Sequence, residues 1–474
     1  MSPADLSPRS PASSRPISAR DLALRTLADL REGRRTARGA IDELLEPAGL
    51  PPPEIALATE LVMGVVRHRL TLAKVLGAYA VHGWQRVNRQ IQHILMLGAY
   101  QLIWLDGIPP FAAVHEAVNQ ARAVGGERAA RFVNALLRQL LRDVEHPRLA
   151  ESQSDPRRAI PVGDGQCCQL HRPVFTDPAV NPVAWLAEIS SHPTWLVGRW
   201  LHHFGRPAAE TICRYGMSRP VTFLRPNHLR TDAVSLAARL KQEGFSAEPT
   251  PAGQVVVAGA SAGLVRSPVF QEGLFQPQDP TAMKPVESMK LSPGQVVIDL
   301  CAGLGTKTGQ IAEAMNNQGL VLASDTHAGR LDRLMANCRR LGLTIVRPVP
   351  SESLERAAAE LHRLDWILVD APCSNTGVLA RRPEARYRAD HKTLASLAGV
   401  QAALLDRVAA LARPETRLLY ATCSLEPEEN EHAAAGFARR HPEWILLGSE
   451  LTLPAADGPP SRWRDGGYLS IWKR

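Results

Sequence analysis

The chain has 474 residues, 45% of them hydrophobic and 22% charged, with a net charge of +8. That length exceeds one ordinary domain, and the composition allows a core of normal size, which excludes a fibrous or low-complexity chain. The positive balance, carried mostly by arginine, suits a polyanion because guanidinium groups pair with phosphate through a planar fork; the codon bias of a GC-rich genome gives the same balance without a partner.

Residues 1–18 are rich in Ser, Pro and Arg and lack the apolar stretch of a secretion signal, so they read as a disordered tail. Residues 19–145 carry a helical pattern. Leu22, Ala23, Thr26, Leu27 and Leu30 recur at the helix period, as do Ala58, Leu61, Val62, Val65 and Val66. Pro51 to Pro53 separate two helices, and Pro109 with Pro110 separates two more, which predicts an all-α bundle. The apolar stretch Ile94–Trp104 is too short and too polar to span a bilayer.

Residues 146–184, with Asp155-Pro156, Gly163, Gly165 and further prolines, read as a linker with an irregular insert. Residues 185–265 read as a small α+β subdomain. It has helices around Trp195–Gly205 and Ala233–Gly244 and strands at Val221–Leu224 and Gln254–Val257. The seven cysteines are an odd number, and their spacing gives neither a disulfide framework nor a zinc set, so reduced thiols, a cytoplasmic location and no metal are expected.

Residues 266–474 alternate apolar runs with amphipathic helices. The runs are Val296–Leu300, Leu320–Ser324, Thr344–Arg347, Trp366–Asp370, Arg417–Thr422, Trp444–Leu447 and Tyr468–Trp472; the longest helix is Thr393–Ala412. This predicts an α/β domain, a parallel Rossmann-like sheet with helices on both faces. Ligands of such sheets bind beyond the carboxyl ends of the strands. The first run is followed by Asp299, Leu300, Cys301, Ala302, Gly303, Leu304, Gly305 and Thr306. Neither a dinucleotide G-x-G-x-x-G nor a P-loop is present, and the remaining pattern fits the Asp-x-x-x-Gly-x-Gly turn of S-adenosylmethionine enzymes or a plain strand-to-helix turn. The second run ends at Asp325, placed either to accept from ribose hydroxyls or to cap the next helix.

The fourth run leads into Asp370-Ala-Pro-Cys373-Ser374 and the fifth into Thr422-Cys423-Ser424. A lone cysteine after a strand is most often a buried small hydrophobe, the reading for Cys213 and Cys338. Two at equivalent strand ends beside an aspartate fit cytosine methylation. Carbon 5 of cytosine is a poor nucleophile until a thiolate adds to carbon 6, and the ring needs a partner at N3 and the exocyclic amine, for which Asp370 is placed. A helix start expected at Pro427 puts a helix N-terminus just after Cys423, favouring its thiolate. Spacing alone does not say which cysteine attacks.

Asp370-Ala-Pro-Cys-Ser-Asn-Thr-Gly-Val378 and Tyr420-Ala-Thr-Cys-Ser-Leu-Glu-Pro-Glu-Glu-Asn-Glu431 resemble two long motifs of the bacterial 16S ribosomal RNA cytosine-C5 methyltransferases of the RsmB type. Glu60–Arg69, Leu97–Leu102 and Phe132–Arg138 resemble that family's NusB-like helical RNA-binding domain. Ser191–Trp195 and Arg225–Asn227 resemble its small subdomain, and Phe275–Ala282 the start of its catalytic core. The resemblance implies S-adenosylmethionine as cofactor, small-subunit ribosomal RNA as partner, a monomer, Cys423 as nucleophile and Cys373 as the helper in release.

Departures accompany it. Gly303, Leu304 and Thr306 replace the family's Ala, Pro and Gly in the cofactor turn, whereas Lys307 and Thr308 are kept, with Lys307 a contact to cofactor or base. Pro350-Ser351-Glu352 replaces a Gly-Asp that holds adenine, leaving Ser351 or Glu352 as the substitute, or a weaker adenine site. A second reading is therefore an inactive RNA-binding ribosome-assembly factor on a methyltransferase scaffold. Arg381, Arg382 and Arg386 are candidate phosphate contacts, and the target base has to leave its stack.

Overall fold

The computed structural model describes residues 17–30, 36–45, 49–259 and 263–474. The expected tail lies outside them except for Ile17 and Ser18. Ser18 is already part of the fold: its hydroxyl accepts the Asp21 N–H and the Asp21 carboxylate reaches back to it, a capping box that starts the first helix.

The chain forms two compact units. The first, up to Val66 and from Val75 to Val144, is helical. It is built on α1 (Ala19–Asp29), α2 (Ala37–Leu45), α3 (Pro52–Arg67), the last turn of α4 (Arg69–Gly77), whose residues up to Lys74 belong to the second unit, α5 (Arg89–Trp104) and α6 (Pro110–Asp143). Helix α5 is central because from Ile94 onward nearly every residue is buried; Ile94, Leu95, Leu97, Tyr100 and Ile103 enter the core together with Ile91. Gly64 of α3 makes room for it, since a Cβ there would fall on the Tyr100 ring. Gly125 and Gly126 break the helical dihedrals inside α6.

The second unit comprises Arg67–Lys74 and Glu145–Arg474. The stretch expected as a loose linker is a three-stranded sheet in the order β1-β3-β2, made of β1 (Val144–Ala150), β2 (Ala159–Gly163) and β3 (Gln166–Leu170). Its glycines belong to a hairpin: Gly163, Asp164 and Gly165 all have positive φ, so residues that read as loop form the turn between paired strands. Cys167 and Cys168 are buried there as small hydrophobes.

Next come α7 (Pro182–Ser190), α8 (Thr194–Met217), β4 (Thr222–Pro226), α9 (Ala233–Gln242), β5 (Ala247–Pro249), β6 (Val255–Val257), α10 (Pro268–Gln271) and β7 (Phe275–Pro277). The four strands form an antiparallel sheet in the order β5-β6-β4-β7. Leu236 and Leu240 of α9 pack onto Leu224, Val255 and Phe275 of that sheet.

The rest runs α11 (Pro280–Met289), β8 (Val296–Asp299), α12 (Thr306–Ala314), β9 (Leu320–Asp325), α13 (Ala328–Leu341), β10 (Val346–Pro350), α14 (Leu354–Ala359) and β11 (Trp366–Asp370). It continues with α15 (Ala385–Arg388), α16 (His391–Leu411), β12 (Arg417–Thr422), α17 (Glu431–Arg440), β13 (Ile445–Thr452) and β14 (Gly467–Lys473). The seven-stranded sheet has the order β10-β9-β8-β11-β12-β14-β13. Its first five strands are parallel, as expected, but β14 runs antiparallel between β12 and β13, so the sheet is mixed. No α-helix separates β13 from β14, and without a crossover the chain returns as an antiparallel hairpin.

Successive strand residues point to opposite faces, so each central strand supplies two cores. Ile298, Leu322, Ile367 and Leu418 enter one, with Leu405 and Val408 of α16 and Phe437 of α17. Val297, Val321, Leu368 and Leu419 enter the other, with Ile311 of α12 and Leu334 of α13. By length and apolarity α16 would also pass for a membrane span. In this fold Leu394, Gln401, Leu405 and Val408 are its buried face.

Candidate active site at the carboxyl ends of the sheet

Strand β8 ends at Asp299, and the chain turns through Gly303 and Gly305, both with positive φ, into α12. At Gly305 a Cβ would lie 2.7 Å from Leu334 Cγ, so only glycine lets this turn rest on α13. At Gly303 a Cβ would meet no atom within 4 Å, and the backbone faces open space. Asp325, at the end of β9, is 7% exposed; its Oδ2 accepts the Gly303 N–H at 3.1 Å and its Oδ1 the His327 N–H at 2.9 Å. The N-cap of α13 is His327, so Asp325 holds the glycine turn against β9 and does not cap the helix.

Asp299 is 1% exposed. Its Oδ2 accepts from Thr308 at 2.7 Å, whereas Oδ1 is buried without a partner. Burial raises its pKa to about 7. An orphaned carboxylate oxygen beside an open glycine turn, with a second acid at the next strand end, fits an amino-acid nucleoside that brings its own donors. Cys301 is held in its thiol form by burial and is not a reactive group. Leu304 is exposed, Ala302 donates its N–H to the Ser324 carbonyl, and the Thr306 carbonyl accepts from Arg225. Beyond β10 the Ser351 hydroxyl accepts from Arg407 of α16 at 2.7 Å, so that residue is engaged by another side chain.

At the ends of β11 and β12, Lys307 Nζ donates to Asp370 Oδ2 at 2.6 Å. Burial opposes the ammonium, but the charge of Asp370 and its hydrogen bond outweigh burial and hold Lys307 above the usual lysine pKa. Cys373 Sγ and Cys423 Sγ stand 3.2 Å apart, both thiols free. The contact with Cys373, with Arg382 and Lys307 acting in the same direction against burial and the charge of Asp370, lowers the Cys423 pKa. The same contact, burial and the charge of Glu429 push Cys373 well above its usual value. A pocket in front of the pair is lined by Lys307, Asp370, Cys423, Lys284, Glu450 and Gly466.

The helix expected to start at Pro427 does not: Pro427–Glu429 is a single 3-10 turn and α17 begins at Glu431. The charges that favour the Cys423 thiolate are side chains. Of the three arginines expected to meet phosphate, Arg386 is completely buried and donates to the carbonyls of Ser191 and Gly216. It is a structural cation and cannot reach RNA. Arg381 is committed to Asp465 at 2.8 Å and Asp279 at 2.9 Å. Arg382 is exposed and donates to Asn375 Oδ1 at 2.8 Å, the same oxygen that lies 3.3 Å from Cys423 Sγ.

Several site residues have no role assigned from the sequence, although Asn375 and Arg225 lie within the motifs that carry the resemblance. Asn375, at φ +64, ties its loop back to the Cys373 carbonyl at 2.7 Å. Arg225 and Glu313, each side chain 2% exposed, form a buried ion pair at 2.9 Å that joins β4 to α12. Lys284 and Glu450 close one side of the pocket at 2.5 Å. Only proximity in the fold separates these from ordinary polar residues.

The family described as 16S rRNA methyltransferase RsmB/F matches residues 286–458, the NusB family matches 17–142, and an RsmF/B-like ferredoxin-like domain matches 192–260. A Bacillus subtilis protein named probable ribosomal RNA small subunit methyltransferase B is 30% identical over 439 residues, covering 92% of each chain. The chain belongs to the RsmB/F family of 16S rRNA methyltransferases. A Synechocystis member, also named probable ribosomal RNA small subunit methyltransferase B, is 31% identical over 442 residues, 92% of this chain and 93% of that one. The crystal structure of PH0851 superposes with a TM-score of 0.74 over 98% of this chain and 99% of that one; at 20% identity it shows the fold alone. S-adenosylmethionine is the cofactor of this RsmB/F-family chain, and the Gly303 turn, Asp299 and Asp325 are the groups suited to hold it.

Proposed function

We propose that the chain methylates carbon 5 of one cytidine in small-subunit ribosomal RNA through a covalent adduct on Cys423. The observation that carries this reading is the pair of free thiols 3.2 Å apart beside the Lys307–Asp370 pair. Covalent addition to a base followed by release gives each of two adjacent thiols a task, one as nucleophile and the other as proton carrier.

Cys423 adds to carbon 6 of the flipped base, and the electron pair of the C5–C6 double bond moves into the ring, making carbon 5 nucleophilic. Asp370 accepts from the exocyclic amine, while Lys307 supplies positive charge where negative charge builds at the ring N3 and O2. S-adenosylmethionine, when bound, supplies the electrophilic methyl group. Once Cys423 is a thioether, Cys373 no longer faces a thiolate. The largest influence raising its pKa is gone, and it loses its proton to solvent. As a thiolate it takes the proton from carbon 5, and Cys423 leaves with the electron pair of its C–S bond. The sum releases one proton per methyl group, as the substitution requires.

Arg382 is the phosphate contact nearest the pair, the protein acts as a cytoplasmic monomer, and the helical unit contributes to RNA binding. The test is transfer of labelled methyl to protein-free small-subunit RNA. Wild type labels a single cytosine at carbon 5, Cys423→Ala labels none, and Cys373→Ala accumulates a protein–RNA adduct. Unchanged labelling by Cys423→Ala would sink the adduct mechanism. Binding without labelling by wild type would favour an inactive assembly factor, the reading that the altered cofactor turn and Ser351 invite.

A further inference from the structure

The residue after each cysteine is a serine, and both serines end on one buried carboxylate. Ser374 donates its N–H to Glu429 Oε1 at 2.9 Å and its hydroxyl to Oε2 at 2.5 Å, and the Ser424 hydroxyl donates to the same Oε2. Gln401 Nε2 of α16 donates to Oε1 at 3.2 Å, and the Tyr420 hydroxyl fixes the Glu429 backbone carbonyl at 2.6 Å. Glu429 is wholly inaccessible to solvent, and every group around its carboxylate is a donor.

We propose that Glu429 is the positioning residue of the cysteine pair: one carboxylate joins the loops after β11 and β12 and thereby fixes the spacing and orientation of the two sulfurs. The loops also meet through the Gly377 N–H on the Cys423 carbonyl at 3.0 Å and the Leu425 N–H on the Thr376 hydroxyl at 2.9 Å, but the Glu429 carboxylate is the group that holds the residue directly after each cysteine. A buried acid costs several kcal/mol unless it is fully hydrogen-bonded, and a hydrophobic residue would fill the volume at no such cost. What the acid adds is direction: four donors from three segments converge on it, and two of those segments carry the cysteines.

The carboxylate also makes the two thiols unequal. Its charge acts on Cys373 and disfavours ionisation there, whereas Arg382 and Lys307 act on Cys423 and favour it. The ionisable groups facing the pair are Lys307, Asp370, Arg382, Tyr420 and Glu429. The role assigned to Glu429 rests on the two-cysteine reading above, but its test does not.

The experiment is limiting alkylation of the full chain by iodoacetamide, without RNA, followed by peptide mass spectrometry of Cys373 and Cys423 across the neutral pH range. Glu429→Gln keeps the shape and removes the charge. Its Cys373 rate at neutral pH should rise about tenfold, the change that one pKa unit makes in thiolate fraction, and the preference for Cys423 should shrink. The double variant Ser374→Ala, Ser424→Ala keeps the charge and removes both hydroxyl bonds, weakening the tie to the single backbone N–H of residue 374. It should bring the two rates together and lower kcat for methyl transfer while leaving KM for RNA unchanged. If either variant fails to bind cofactor in titration calorimetry, and so to fold, the other carries the test. Alkylation profiles identical to wild type overturn the proposal. If instead methyl transfer survives Cys423→Ala, the adduct mechanism falls, and the alkylation profiles still decide what Glu429 does.

Discussion

The Lys307 ammonium meets the Asp370 carboxylate at 2.6 Å, joining the start of α12 to the end of β11. The pair is assembled before any substrate arrives. Lys307→Ala should therefore lower kcat by on the order of a hundredfold, the usual cost of one preorganised charge donor, with RNA affinity changed far less. Because the folded-state pKa of Lys307 is raised, its stabilisation is fully present below the unfolded lysine value and is lost only as pH rises through the folded one. Urea midpoints of wild type should thus show no Lys307-dependent loss between about pH 7 and 9. A loss in that window, absent from Lys307→Ala, would contradict the assignment.

Asp299 behaves in the opposite sense to most carboxylates. Its folded pKa is raised to about 7 by burial, against about 4 in an unfolded chain. The unfolded chain ionises first, so this group costs stability as pH rises from about 4 to about 7, at roughly 1.4 kcal/mol per unit. Asp299→Asn keeps an acceptor for Thr308 and stays neutral. In cofactor-free protein it should gain on wild type steadily over that range, by up to about 4 kcal/mol, while binding cofactor more weakly. Parallel stability curves for the two proteins would show that Asp299 is ionised in the fold.

The three arginines after Cys373 should separate cleanly. Arg381→Ala leaves Asp279 and Asp465, 7% and 5% exposed, as buried acids without their cation. It should cost about 3–5 kcal/mol in denaturant unfolding. Arg386→Ala should be comparably harmful, since the carbonyls it serves lose their donor. Arg382→Ala should leave the melting curve almost untouched, weaken RNA binding, and reduce the slope of log affinity against log salt by about one. Equal stability losses for Arg381→Ala and Arg382→Ala would refute this division.

Gly377 is a point of close approach between three loops of the site. A Cβ there would lie 2.6 Å from the Gly466 carbonyl oxygen and 2.9 Å from that of Cys423. The Gly377 N–H donates to the Cys423 carbonyl at 3.0 Å, and its own carbonyl accepts from Gly466 at 2.7 Å. Gly377→Ala should force these strand ends apart, costing about 1–3 kcal/mol and most of the activity. A variant with wild-type methyl transfer would mean that the Cys423 loop tolerates displacement.

Much of the catalytic half was legible in the chain. Asp370 and Cys373 follow one strand-like run and Cys423 follows another, and parallel strands bring their carboxyl ends together whatever the details of packing. Strand order in the sequence therefore places the paired thiols near each other. The strand pattern failed at β1 to β3, where Gly163 and Gly165 read as loop although they form the turn of a hairpin. It also failed at β14, because alternation reports which face a residue takes and says nothing of strand direction.

Arginine marks the same boundary. In sequence Arg381, Arg382 and Arg386 are three equivalent cations after one motif; in the fold one bridges two acids, one is exposed, and one is sealed among carbonyls. Charge is a property of the residue, but its use depends on burial, which sums contacts from remote segments. Glu429 is the strongest case, an acid in an acidic run whose partners Ser374, Ser424 and Gln401 come from other parts of the chain. The sequence by itself determined the helical and α/β halves, the cofactor turn and the two thiols, because these follow from local periodicity and from motifs at strand ends. Tertiary structure alone decided which charges surround the thiols, which arginines are exposed and how the thiols are held, because those depend on distances between groups that the chain keeps far apart.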